Sequence, residues 1–97
     1  MPGIGTLNLK VVILDTDYYA MQSINGYLAW DRRTRVTYMT TDFDDFWHYM
    51  RDTAVAELPD VLILDVDHLG DLDHVEKVLD DLHNFVPLAM IVCLSQT

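Results

Sequence analysis

Asp15, Asp17, Asp65 and Asp67 fall in two matched segments, Val11-Val12-Ile13-Leu14-Asp15-Thr16-Asp17 and Val61-Leu62-Ile63-Leu64-Asp65-Val66-Asp67. In each, four continuous apolar residues, rich in β-branched types, end abruptly in carboxylates. Such runs are expected of strands buried on both faces of a parallel sheet. Ligand sites of open α/β sheets lie just beyond the carboxyl ends of the strands, so two acid-tipped neighbours would gather several carboxylates in one crevice. Those groups cannot all stay ionised unaided: some take up protons, or a hard cation such as Mg²⁺ neutralises them. Residues two apart in an extended segment share a side, but Asp17 and Asp67 need not follow Asp15 and Asp65 into the crevice once the loop turns. The plainer reading is a solvated acidic rim in a chain that is acidic throughout.

The composition narrows the chemistry. A chain of 97 residues, 51% of them hydrophobic, is read as one domain spanning residues 1–97. Sixteen Asp and Glu against six Lys and Arg give a formal charge of -10, which argues against contact with nucleic acid, since a phosphate backbone needs a clustered basic face. The basic cluster Arg32-Arg33 with Arg35 is expected to solvate a helix-to-strand turn. The single cysteine, Cys93, lies in the apolar run Ala89 to Leu94 and is read as core packing; it has no partner for an internal disulfide, which fits a reducing compartment. No apolar stretch has membrane-spanning length, and Met1-Pro2-Gly3-Ile4-Gly5 lacks the pattern of a signal peptide. A cytoplasmic protein with no membrane contact is expected.

The acids must be positioned by alternating strands and helices. The pattern predicts a strand from Leu9 to Leu14, then a helix with Ala20, Ile24, Tyr27 and Leu28 on one face, ending near Trp30. Arg35 to Thr40 alternates like a strand near a sheet edge. Thr41 or Asp42 can cap the next helix, whose stripe Phe43, Phe46, Trp47, Met50 and Ala54 is read as core. Leu58-Pro59-Asp60 ends the helical region and the third strand follows. Gly70 marks a turn, and Leu72, Val75, Val78, Leu79 and Leu82 form a helical stripe. Val86-Pro87 then leads into a fourth strand, Leu88 to Leu94. This order is that of a doubly wound parallel α/β sheet with right-handed crossovers.

From Lys10 onward the chain resembles the receiver domain of bacterial two-component response regulators. The likeness is carried by the acidic cluster after the first strand, by Pro59-Asp60-Val61-Leu62-Ile63-Leu64-Asp65, by Gly70 five residues after Asp65, and by Ser95 ending the fourth strand. It implies a flavodoxin-like receiver fold with strand order 2-1-3-4, lacking the family's last helix, strand and helix. It also implies a part in phosphorelay signal transduction, with a sensor histidine kinase or phosphotransfer protein as partner. By this likeness Asp65 is the phosphoacceptor and Ser95 contacts the phosphoryl group. Asp15 and Asp65 serve Mg²⁺ together with the backbone carbonyl of Asp67. A carboxylate attacks phosphorus only when a cation masks the charge repulsion and donors receive the equatorial oxygens.

The chain departs from the family's pattern at three places. Thr16 stands where a second acid usually follows the first, so that Thr16 or Asp17 would have to complete the metal site and Mg²⁺ binding should be weaker. Leu69 replaces the usual proline after the acceptor. The family's clamping lysine and aromatic switch residue have no counterpart before Thr97. A fourth strand with nothing beside it would be a bare edge, for which pairing with a second copy is expected.

Two other readings compete. A pseudo-receiver would use the same fold for protein contacts without phosphorylation. A phosphatase of the haloacid-dehalogenase type would use Asp15 as nucleophile, Asp17 as acid/base and Ser95 for phosphate. His68 and His74, set among acids, are read as surface loop histidines because their spacing is not that of a preorganised metal pair.

Overall fold

β1 (Leu9–Leu14) is central because its apolar run has side chains to bury in both directions. Val12 and Leu14 face one way and Val11 and Ile13 the other, and all four are buried. The computed structural model describes residues 9–31, 33–68 and 71–94. Within it β1 is flanked by β2 (Thr34–Thr40) and β3 (Val61–Asp65), and β3 by β4 (Met90–Leu94), all parallel, in the order β2-β1-β3-β4. Three helices fill the crossovers: α1 (Tyr18–Leu28), α2 (Phe43–Asp52) and α3 (Leu72–Phe85). The expected α/β order and parallel sheet are thus present.

Helices cover both faces. On one, Val12, Leu14, Leu62 and Leu64 pack with Phe46 and Met50 of α2 and with Val78 and Leu82 of α3. On the other, Val11 and Ile13 pack with Met21, Ile24 and Leu28 of α1. Burying each large side chain contributes about 1.5–3 kcal/mol, so the two layers hold the sheet between them. The aromatic stripe of α2 is core, as expected: Phe46 is fully buried, and Trp47 meets Phe43 and Phe85 edge-on at 6.3 and 6.0 Å. α2 is further tied to β2, where Tyr38 stacks on Tyr49 and its hydroxyl donates to Asp45. Asp42, rather than Thr41, is the N-cap, accepting from the Asp44 and Asp45 amides. At the amino end of the sheet, Asp60 accepts from the Lys10 amide at 2.9 Å and its own amide donates to the Lys10 carbonyl at 2.8 Å. Its carbonyl accepts from the Met90 amide, so one residue fixes the register of β1, β3 and β4.

Five expectations need correction. Tyr27 is 81% exposed and lies off the packed face of α1, which is formed by Met21, Ile24 and Leu28. α2 stops at Asp52 and Ala54 is exposed, because Thr53 turns extended and leads into a short 3₁₀ helix, Val55–Glu57. β4 starts at Met90, not Leu88: the Ala89 amide closes a turn on the Val86 carbonyl, leaving Leu88 98% exposed. Cys93 is exposed, not core. It lies in register with Leu64 on the outer strand, where the packed layer reaches Ala89 and Ile91 but stops short of it. His74 belongs to the first turn of α3, its amide donating to the N-cap Asp71, rather than to a surface loop. The Met1 to Gly5 lead, Arg32, Leu69, Gly70 and Ser95 to Thr97, with the side chain of His68, lie outside the described residues. Among those described, no helix is long and apolar enough to cross a membrane.

Candidate functional site

Leu14 is in register with Leu64, so the next residue on each strand, Asp15 and Asp65, arrives at the same edge side by side. Both are nearly buried, at 4% and 8% exposure. The repeat in the sequence becomes a repeat in geometry. The Asp17 amide donates to Asp15 Oδ1 at 2.9 Å, and the Asp67 amide donates to Asp65 Oδ1 at 3.2 Å. Each carboxylate thereby bends its own chain out of the sheet, the Asx-type local bond that terminates extended structure. After Asp65 the chain continues as a 3₁₀ turn, Val66–His68, which carries the Asp67 backbone around the tip of β3.

Burial pushes the Asp15 carboxyl above its ordinary range; the bond from the Asp17 amide opposes this, and the neighbouring Asp65 carboxylate adds to it. This is the behaviour of two acids sharing a site with too little compensating charge. Thr16 lies between them in function: its hydroxyl donates to Asp65 Oδ2 at 3.3 Å across the strand gap.

Asp17 takes a different part. Its carboxylate caps α1, accepting from the Tyr19 and Ala20 amides at 3.0 and 3.2 Å. With Oδ1 committed to that cap and no acid in the first turn of α1, Asp17 supplies the negative charge at the helix start. The expected residues therefore divide. Asp15, Thr16 and Asp65 come together, the Asp67 amide joins them, Asp17 serves a helix, and Ser95 lies outside the described residues.

Among the described residues, no group of three or more His, Cys, Asp and Glu side chains is placed to hold a metal ion. Two buried, adjacent carboxylates, one of them unfavourably charged, still match the needs of Mg²⁺, which takes one or two carboxylates and completes its shell with water. Such a cation would neutralise the pair and screen an incoming anion. What the reading of the sequence missed is the Thr16 bond to Asp65. A hydroxyl immediately after the first acid, at the end of a central strand, was the available signal.

No protein-family model matches the chain, and no curated protein sequence matches it. Among solved structures, it is similar to the Salmonella typhimurium RcsB response regulator, whose structure is described for conformational dynamism for DNA interaction. The TM-score is 0.70 at 21% identity, over 93% of this chain and 44% of that one. The chain spans less than half the length of that regulator. With its parallel sheet in the order β2-β1-β3-β4 and both faces covered by crossover helices, the chain has the receiver-like fold of a response regulator.

Proposed function

We propose that the chain, as a single receiver-like domain over residues 1–97, accepts a phosphoryl group on Asp65 in phosphorelay signalling. The donor is a sensor histidine kinase or phosphotransfer protein, and the setting is the cytoplasm. The observation that carries this reading is the pairing of Asp65 with Asp15 at the carboxyl edge of adjacent parallel strands. Asp65 is the nucleophile, Asp15 and the Asp67 carbonyl serve Mg²⁺, and Ser95 receives a phosphoryl oxygen. The step is the attack of one carboxylate oxygen on phosphorus, and the product is an acyl phosphate. Phosphorus NMR after incubation with Mg²⁺ and acetyl phosphate tests it. A protein-bound signal that hydroxylamine removes supports the reading, and no such signal from the protein at its full natural length contradicts it.

A pseudo-receiver, engaged through contacts alone, is favoured by one observation. Asp17 is spent on its helix cap and Thr16 brings no charge, so the acid set is smaller than the family's. The dehalogenase-type phosphatase loses support on the same ground, because the carboxylate it would need as acid/base is held in that cap. Self-association through β4 is supported by its place at the end of the sheet among the described residues and by Met90, which is 64% exposed. Light scattering that gives a monomer at high concentration would count against it.

A further inference from the structure

We propose that the outer face of α1 is a docking surface for a second copy of this chain, the two α1 helices lying antiparallel about a two-fold axis between Ser23 and Gly26. The inference stands apart from the reading of Asp65 as acceptor. It is also separate from pairing along β4, because α1 packs on β1, β2 and β3, whereas β4 ends the sheet among the described residues.

α1 carries no charged side chain, whereas α2 and α3 are both net acidic. With Met21, Ile24 and Leu28 turned to the sheet, its opposite face is the stripe Tyr19, Ser23 and Gly26, continued past the helix end by Trp30. Tyr19 is 81% exposed and Trp30 89%. The turn that carries Trp30 is firmly tied. The Asp31 amide donates to the Leu28 carbonyl at 3.0 Å, the Thr34 amide donates to the Asp31 carbonyl at 3.1 Å, and the Arg33 guanidinium makes two bonds of 3.0 Å to the Asp31 carboxylate. The indole is thus held out into solvent by a fixed backbone. Between the aromatics the stripe is thin: a Cβ at Gly26 would meet nothing within 4 Å, so the chain's own packing has no use for a residue that weakens a helix interior. Exposed aromatics, no charge and a central notch are the make-up of an interface core.

Charge selects the occupant and its direction. In a chain of formal charge -10, a second copy that approached through α2 or α3 would set acids against acids. α1 is the helix that avoids this. It starts at the acidic edge, after Asp15 and the exposed Asp17, and it is followed by the segment 31–35, which holds three arginines against one aspartate. Parallel helices would bring like ends together. Antiparallel helices set the acidic start of each α1 against the basic end of the other and align their dipoles favourably. With the axis between Ser23 and Gly26, Ser23 meets the partner's Gly26, so the backbones can approach closely, and Tyr19 meets the partner's Trp30. Each contact then occurs twice, as an isologous interface requires.

The test puts the photoreactive residue p-benzoylphenylalanine in place of Tyr19 in the purified protein at its full natural length. Irradiation should give a cross-linked dimer whose peptide map joins position 19 of one copy to residues 27–31 of the other. Trp30→Ala and Gly26→Gln, each added to that protein, should lower the cross-linking yield about tenfold or more. Gly26→Gln should melt no lower than its parent, because its side chain enters open space. A purely structural role for Gly26 would lower the melting temperature instead, and that result overturns the notch and the proposal with it. Absence of a cross-linked dimer, a link to residues 18–23, a link elsewhere in the chain, as association through β4 alone would give, or a yield unmoved by either variant also overturns it. So does a link to a different protein in cell extract with none between copies. Phosphoryl uptake is not read in any of these, so the assignment of Asp65 stands or falls by its own experiment.

Discussion

Asp15 and Asp65 stand side by side at the ends of β1 and β3, one step beyond the in-register pair Leu14 and Leu64, and both are almost removed from solvent. Two acids in that position repel each other when both are ionised. A proton, a cation or a donor must settle their charge. The rest of the fold explains why they cannot move away: β1 is pinned by α1 on one face and by α2 and α3 on the other.

The first prediction concerns Asp15 and pH. Burial raises its carboxyl above the ordinary value, so the folded chain holds a proton that the unfolded chain has already lost. Stability must then fall as pH rises from the ordinary to the raised value, and the deficit persists above it. Asp15→Asn removes the deficit. In a chelator at neutral pH its melting temperature should exceed that of wild type and depend less on pH, as read by circular dichroism. Added Mg²⁺ should stabilise wild type more than the variant, because a ligand that binds only the folded state raises stability by mass action.

A second prediction separates the two parts open to Asp17. If it acts as a cap, Asp17→Ser keeps an oxygen acceptor for the Tyr19 and Ala20 amides and should fold about as well as wild type. Asp17→Ala should lose about 1 kcal/mol in urea unfolding. Phosphoryl uptake by Asp17→Ser should equal that of wild type. A large loss of uptake with unchanged stability would make Asp17 a functional ligand.

The third prediction addresses the scaffold. Phe46 is fully buried among Val12, Leu14, Leu62 and Leu64, the residues that lead directly to the two acids. Phe46→Ala should cost about 3–5 kcal/mol, read as a lower denaturant midpoint. Leu88→Ala, at a 98% exposed position, should change stability by less than about 0.5 kcal/mol.

How far the sequence could be read depended on whether a residue's role is set by its neighbours in the chain or by what packs upon it. The acid-tipped strands were legible because a continuous apolar run asks for burial on both faces, and the parallel α/β sheet followed from the alternation with helices, whereas the strand order came from the family resemblance. Asp17 carried a readable signal, an Asp immediately before a helix, that its nearness to Asp15 obscured. Cys93 sits in an apolar run, yet its exposure is decided by where the packed layer ends along β4, beyond Ala89 and Ile91, which no local pattern encodes. The same holds for Thr16: its side chain matters through a strand 49 positions away. The start of β4 was misplaced because Leu88 and Ala89 are apolar, whereas the turn after Val86 is set by a backbone bond.

The central claim, that Asp65 receives a phosphoryl group, is tested most directly by intact mass. The protein at its full natural length is incubated with Mg²⁺ and acetyl phosphate, as wild type and as Asp65→Asn. Wild type should gain the mass of one phosphoryl group and Asp65→Asn should gain none. A gain that survives in Asp65→Asn, or none in wild type, would contradict it.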